Sequence, residues 1–167
     1  SAEAAKSLID VAGDSLAWGV KFQYRRKGNF YESVTEIGDE IISEELERAY
    51  LSPETILELT DYGKRRGLKV GISFFNPVDA EDFKGSIKEF DFFKVPSAEL
   101  MNDELIEFLV DKRRLTIVST GGHSENQIRE QVGKFSPGKD VLFMHCISNY
   151  PVLIGNQQLD FIPKLQE

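Results

Sequence analysis

The 167-residue chain, 41% hydrophobic and 29% charged, has the composition of a soluble globular protein and the length for one compact domain with a sizeable core, but not for two ordinary ones. Its formal net charge of −8 excludes a protein built chiefly to grip a phosphate backbone and leaves room only for local basic pockets. No apolar run approaches the ~20 residues of a membrane span, so neither nucleic acid nor membrane is an expected partner. The lone cysteine, Cys146, has no internal disulfide partner, and no charged-then-apolar signal opens the residues given. A reducing cytoplasm is therefore the expected compartment, with Cys146 as a core thiol.

In chain order, Ala5, Leu8, Ile9 and Ala12 recur at helical spacing and predict a helix over residues 1–14. A short β-rich run follows at 17–24, with Lys21 and Gln23 on one face and Val20 and Phe22 on the other. Residues 25–51, which carry the basic run Arg25, Arg26 and Lys27, read as a long loop with a short helix near 44–50 and a solvated basic patch. Ser52, Pro53 and Glu54 form a strong helix start, with Ile56, Leu57, Leu59 and Thr60 facing the core and a stop near Gly67. A strand is predicted at 68–75, then a helix over 79–90 with Phe83, Ile87 and Phe90 inward, then a central strand at 91–95. Further on come a helix at 102–112, a strand at 115–118, a helix opened by the capping box Ser124 to Gln127, and a buried strand at 141–145. Residues 151–158 read as loop, and a last helix begins at Phe161. Trp18 and the phenylalanines are expected in the core.

Strict alternation of helices with apolar strands predicts an α/β domain with a parallel sheet. Polar groups appear at the carboxyl end of nearly every strand: Lys21 and Gln23, Ser73 and Asn76, Lys94 through Glu99, Ser119 through Gly122, and His145 through Tyr150. A doubly wound sheet gathers ligand groups at one switch point, whereas a (β/α)8 barrel collects them from many strand ends, so the pattern favours the barrel. About five β/α units are legible, as in a segment of a barrel of ~250 residues, and an open piece of that kind has two bare edges.

The run from Asp91 to Leu100 concentrates the chemistry, because an apolar strand stops abruptly at Lys94, Ser97 and Glu99. An ammonium there must face a carboxylate, an anionic ligand or water. Ser119, Thr120, Gly121 and Gly122 lie between a strand and a capped helix, where backbone amides suit an oxyanion or phosphate, although an ordinary strand-to-helix turn has the same composition. Lys21, Lys94 and several hydroxyls together suffice for a small polyanion, since charge-assisted hydrogen bonds contribute about 1.5–3 kcal/mol each. His145 and Cys146 are adjacent and point to opposite faces of an extended strand, which argues against a Cys–His catalytic pair. His145 is expected as a packed, hydrogen-bonded ring, and no residue spacing supplies a metal site.

Four segments, Val20 to Gln23, Lys94 to Glu99, Val118 to Gly121 and His145 to Pro151, together resemble the sialic acid synthase family, which includes N-acetylneuraminate synthases and spore coat polysaccharide enzymes. The resemblance runs in order over nearly the whole chain. It implies a TIM-type barrel that condenses phosphoenolpyruvate with the open-chain aldehyde of an N-acetylated amino sugar to give a sialic-acid-like nonulosonic acid, releasing phosphate. It further implies that Lys21 and Lys94 hold the phosphoenolpyruvate, and that Ser73, Ser97, Ser119 and Ser148 bind its phosphate. Glu99 is implied beside the reacting carbons, with Lys94 as its catalytic companion, Gln23 on the sugar side and Tyr150 closing the pocket. The family's first strand, with an acidic residue, and its last strands, with two histidine ligands for a divalent Mn or Mg, have no counterpart here. The full-length enzyme is implied to be a homodimer. Pro96, Gly122 and Ser73 depart from residues frequent in relatives. Two alternatives stay open: a Schiff-base aldolase on the same fold with Lys94 as nucleophile, and a non-catalytic barrel module.

Overall fold

Helix α1 (Ala2–Asp14) starts where the Ser1 hydroxyl accepts a hydrogen bond from Ala4 N, and its apolar stripe puts Ile9 into the core. The computed structural model describes residues 1–26, 47–136 and 140–165. Lys27 and most of the predicted 25–51 loop therefore lie outside the described residues. The chain packs as two compact units, Ser1–Asp91 and Phe92–Glu167. Alternating helices and parallel strands give both the predicted α/β character.

In the first unit, β1 (Gly19–Gln23) and β2 (Lys69–Ser73) pair in parallel, from Gly19 opposite Lys69 to Gln23 opposite Ser73. Between them runs α2 (Pro53–Arg65), which begins as predicted with Ser52 as cap and proline in the first turn. Ile9, Leu59 and Leu68 form a core cluster that Ala5, Ala12, Val20 and Phe22 pack against. Helix α2 approaches β2 closely at Gly63, where an added Cβ would sit 2.8 Å from Val70 Cγ2.

The helix expected over 79–90 is instead a single helical turn, Pro77–Ala80, followed by a 3-10 stretch, Glu81–Glu89, broken at Lys84 (φ 37°). Gly85, a poor helix former beside that left-handed residue, suits the break in the i to i+4 ladder. Phe83 and Phe90 are buried as predicted and meet edge to face at 5.4 Å, while Ile87 is only half-buried. Trp18, expected in the core, is 60% exposed; it precedes β1, and its carbonyl accepts from Lys69 N.

The second unit carries β3 (Phe92–Val95), β4 (Leu115–Ser119) and β5 (Val141–Met144), parallel and adjacent in that order. Helix α3 (Asp103–Val110) is capped by Asn102 and buries Leu105, Ile106 and Leu109. Helix α4 (Glu125–Phe135) opens on the predicted capping box of Ser124 and Gln127. Strand β5 corrects the expectation of a fully buried strand: Leu142 and Met144 are exposed, since the described residues pair β5 with β4 alone. The helix expected from Phe161 is replaced by short 3-10 turns at Leu159–Phe161 and Pro163–Leu165, where proline lacks the amide that an α-helix needs.

Candidate active site

Two lysines reach serines by the same step of register, one in each unit. In the first, Lys21 lies opposite Gly71, and its ammonium donates to the hydroxyl of Ser73, two residues further along β2, at 3.3 Å. Ser73 is buried, and desolvation lowers the pKa of the Lys21 ammonium even though the residue as a whole is exposed. In the second unit, Lys94 lies opposite Ile117 and donates to Ser119, again two residues further along. The ammonium also donates to its neighbour's carbonyl, Val95 O, at 3.1 Å.

Around Ser119 the second unit gathers further small polar groups. Gly121 N donates to Ser97 Oγ at 3.1 Å. A Cβ at Gly121 would lie 3.0 Å from Ser97 Oγ and 3.2 Å from Cys146 O, and closer still to Ser148 Oγ, so only glycine admits these oxygens side by side. Glu99, at the end of the turn after β3, is half-buried, and its carboxylate accepts from Asn102 Nδ2 at 2.8 Å. Asn102 Oδ1 in turn caps α3 through Leu105 N, which fixes the amide and hence the carboxylate. Thr120 Oγ1 donates to Met144 O and serves the ladder.

Cys146 is not the expected core thiol. It is half-buried, lines a cavity of about 350 Å³ with Thr120, His123, His145 and Ser148, and donates to Ser119 Oγ at 3.2 Å. His145 pairs instead with Gln157 O at 2.8 Å and faces Phe161, so these neighbours form no Cys–His pair. Tyr150 is 92% exposed and does not line that cavity. Gln23 is exposed in the first unit.

The Arg25 and Arg26 run is structured rather than merely solvated. Arg26 binds Asp82 through Nη2 (2.6 Å) and Nε (2.9 Å), while Tyr24 donates to the same carboxylate at 2.6 Å. These bonds hold the Asp82 pKa below the usual carboxylate range. Arg25 stacks 3.6 Å over Phe75 and lines a cavity of about 310 Å³ with Lys21, Gln23 and Tyr50. Sequence reasoning also missed Asn102, although its i+3 spacing from Glu99 was visible, and the bond between Cys146 and Ser119.

Among the described residues no three His, Cys, Asp or Glu side chains gather as metal ligands. His123 Nδ1 and His145 Nε2 sit on the carbonyls of Gly121 and Gln157. Nor is any described helix long and apolar enough to cross a membrane.

Solved structures share this architecture. The sialic acid synthetase of Leptospira borgpetersenii, solved in complex with citrate, superposes with a TM-score of 0.81 at 23% identity over 99% of this chain and 56% of its own. The fold is thus of the α/β TIM-barrel type, present as part of a barrel, with its polar groups at the carboxyl ends of parallel strands. Residues 8–167 match the NeuB family, and the chain belongs to that family. An uncharacterized protein of Methanocaldococcus jannaschii is 28% identical over 96% of this chain and 46% of its own length. The N,N'-diacetyllegionaminic acid synthase of Campylobacter jejuni is 26% identical over 98% of this chain and 52% of its own. The chain spans about half the length of these curated relatives.

Proposed function

We propose that this protein takes part in condensing phosphoenolpyruvate with the open-chain aldehyde of an N-acetylated amino sugar, giving a sialic-acid-like nonulosonic acid and phosphate. The observation that carries this reading is the group in the second unit, where the Lys94 ammonium donates to Ser119 and, two residues along the chain, the Ser97 and Ser148 hydroxyls flank Gly121. One cation with convergent hydroxyls suits a phosphate monoester in an acidic protein. Lys21 and Ser73 supply a like pair in the first unit. Membership of the NeuB family supports the substrate class.

In the proposed reaction, C3 of the enol phosphate attacks the aldehyde carbon, water adds at C2, and the C2 hemiketal phosphate collapses with loss of inorganic phosphate. Lys94 stabilises phosphate charge, while Glu99, oriented by Asn102, is the group available to move a proton at the reacting carbons.

Calorimetric titration with phosphoenolpyruvate tests the reading. Binding by the wild type that K94M weakens at least tenfold is expected, and no heat from the wild type removes it. Borohydride treatment with a keto acid separates the aldolase alternative. The condensation uses Lys94 as a cation and forms no bond to it, so no adduct is expected, whereas the aldolase requires one. Phosphate release dependent on an N-acetylhexosamine would exclude the non-catalytic module.

A further inference from the structure

A serine hydroxyl can accept two hydrogen bonds and donate one. Ser119 Oγ accepts from the Lys94 ammonium and from the Cys146 thiol (3.2 Å), which occupies both acceptor positions. The side chain is only 5% exposed, and among the described residues its own proton is directed to no acceptor. The three groups step diagonally across the ladder: Lys94 lies opposite Ile117, two residues before Ser119, and Ser119 lies opposite Met144, two residues before Cys146. Ser73 in the first unit differs, because among the described residues it accepts from Lys21 alone and so keeps an acceptor position open.

We propose that Cys146 is a positioning residue that makes Ser119 an obligate donor, so that its one remaining proton is turned toward an acceptor atom of a bound anion. The inference rests on the anion-binding reading above and adds a selection rule to it. Ser119 favours phosphate or carboxylate oxygen and disfavours any ligand group that must donate there. Removing the thiol reopens an acceptor position, lets the hydroxyl turn toward other partners and weakens the preference.

The test uses the whole chain with C146A, C146S and S119A, inorganic phosphate and phosphoenolpyruvate as probes, and thermal melting to confirm folding. C146A is expected to bind phosphate about five- to tenfold more weakly, and C146S, whose hydroxyl can donate in the same place, to recover most of that loss. The chain has one cysteine, so the Raman S–H band reports Cys146 alone; it is expected to move to higher frequency in S119A. A purely packing role predicts no such movement and no rescue by C146S. Folded C146A that binds phosphate as tightly as wild type overturns the proposal and leaves the anion reading standing. Wild type that binds neither probe overturns both. If C146A unfolds, C146S and the S119A band decide: failure of C146S to bind while folded, or an unmoved band, refutes the proposal.

Discussion

Replacing Gly121 with alanine would put a methyl group into the space held by the Ser97 and Ser148 oxygens, so the hydroxyls must separate or the loop must shift. G121A is expected to lower phosphate affinity at least tenfold, about 1.4 kcal/mol, with little change in melting temperature. Phosphate titration beside a melting curve checks this, and unchanged affinity would count against the cradle. Lys21 gives a pH dependence. Burial lowers its ammonium pKa, so the group is cationic below that lowered value and neutral above it. An anion pairing with it favours the charged form and raises the pKa again. Anion affinity should therefore fall as pH rises through the lowered value, with proton uptake on binding between the free and bound values. Calorimetry in two buffers of different ionisation heat measures that uptake, which K21M should abolish. At this scale the sequence showed Lys21, Lys94, Glu99 and the serines as isolated suspects. It did not show that Asn102 holds Glu99, or that Cys146 meets Ser119, because those contacts depend on rotamers and register.

Helix ends were the most legible elements. Ser52 with Pro53 and Ser124 with Gln127 are both realised as caps, because capping is settled within four residues. S124A should cost about 1 kcal/mol, read as a lower urea midpoint with unchanged slope. Gly63 tests the packing of α2 on β2. Its would-be Cβ meets Val70 at 2.8 Å, so G63A should lose stability by about 1–3 kcal/mol despite alanine's better helix propensity. A stabilised G63A would show that the two elements yield without cost. The stretch 81–89 was misread because Phe83, Ile87 and Phe90 fit a helical stripe whether or not the backbone between them is helical. Phe83 packs against Tyr24 and Phe74, and that packing survives the break.

Across the whole molecule, paired carboxylates set the response to acid. Asp82 and Asp103 have lowered pKa values through Arg26 and Lys134, so each adds stability above its unfolded value and loses it as pH falls through the folded one. Asp79, fully buried, has a raised pKa from desolvation and acts with the opposite sign, losing stability as pH rises from its unfolded value through its folded one. The lowered groups are the more numerous, so the urea midpoint should drop as pH falls below about 4, and D82N should flatten that drop. A midpoint independent of pH between 3 and 7 would contradict the ion-pair account. Alternating apolar periods, helix caps and polar strand ends lie close together along the chain, and they alone determined the α/β class, the helix starts and the set of suspect residues. Which of those residues touch was decided only in three dimensions. The bonds of Lys21 to Ser73, Lys94 to Ser119 and Cys146 to Ser119 depend on how neighbouring strands align, and register is a property of the packed ladder rather than of any one strand.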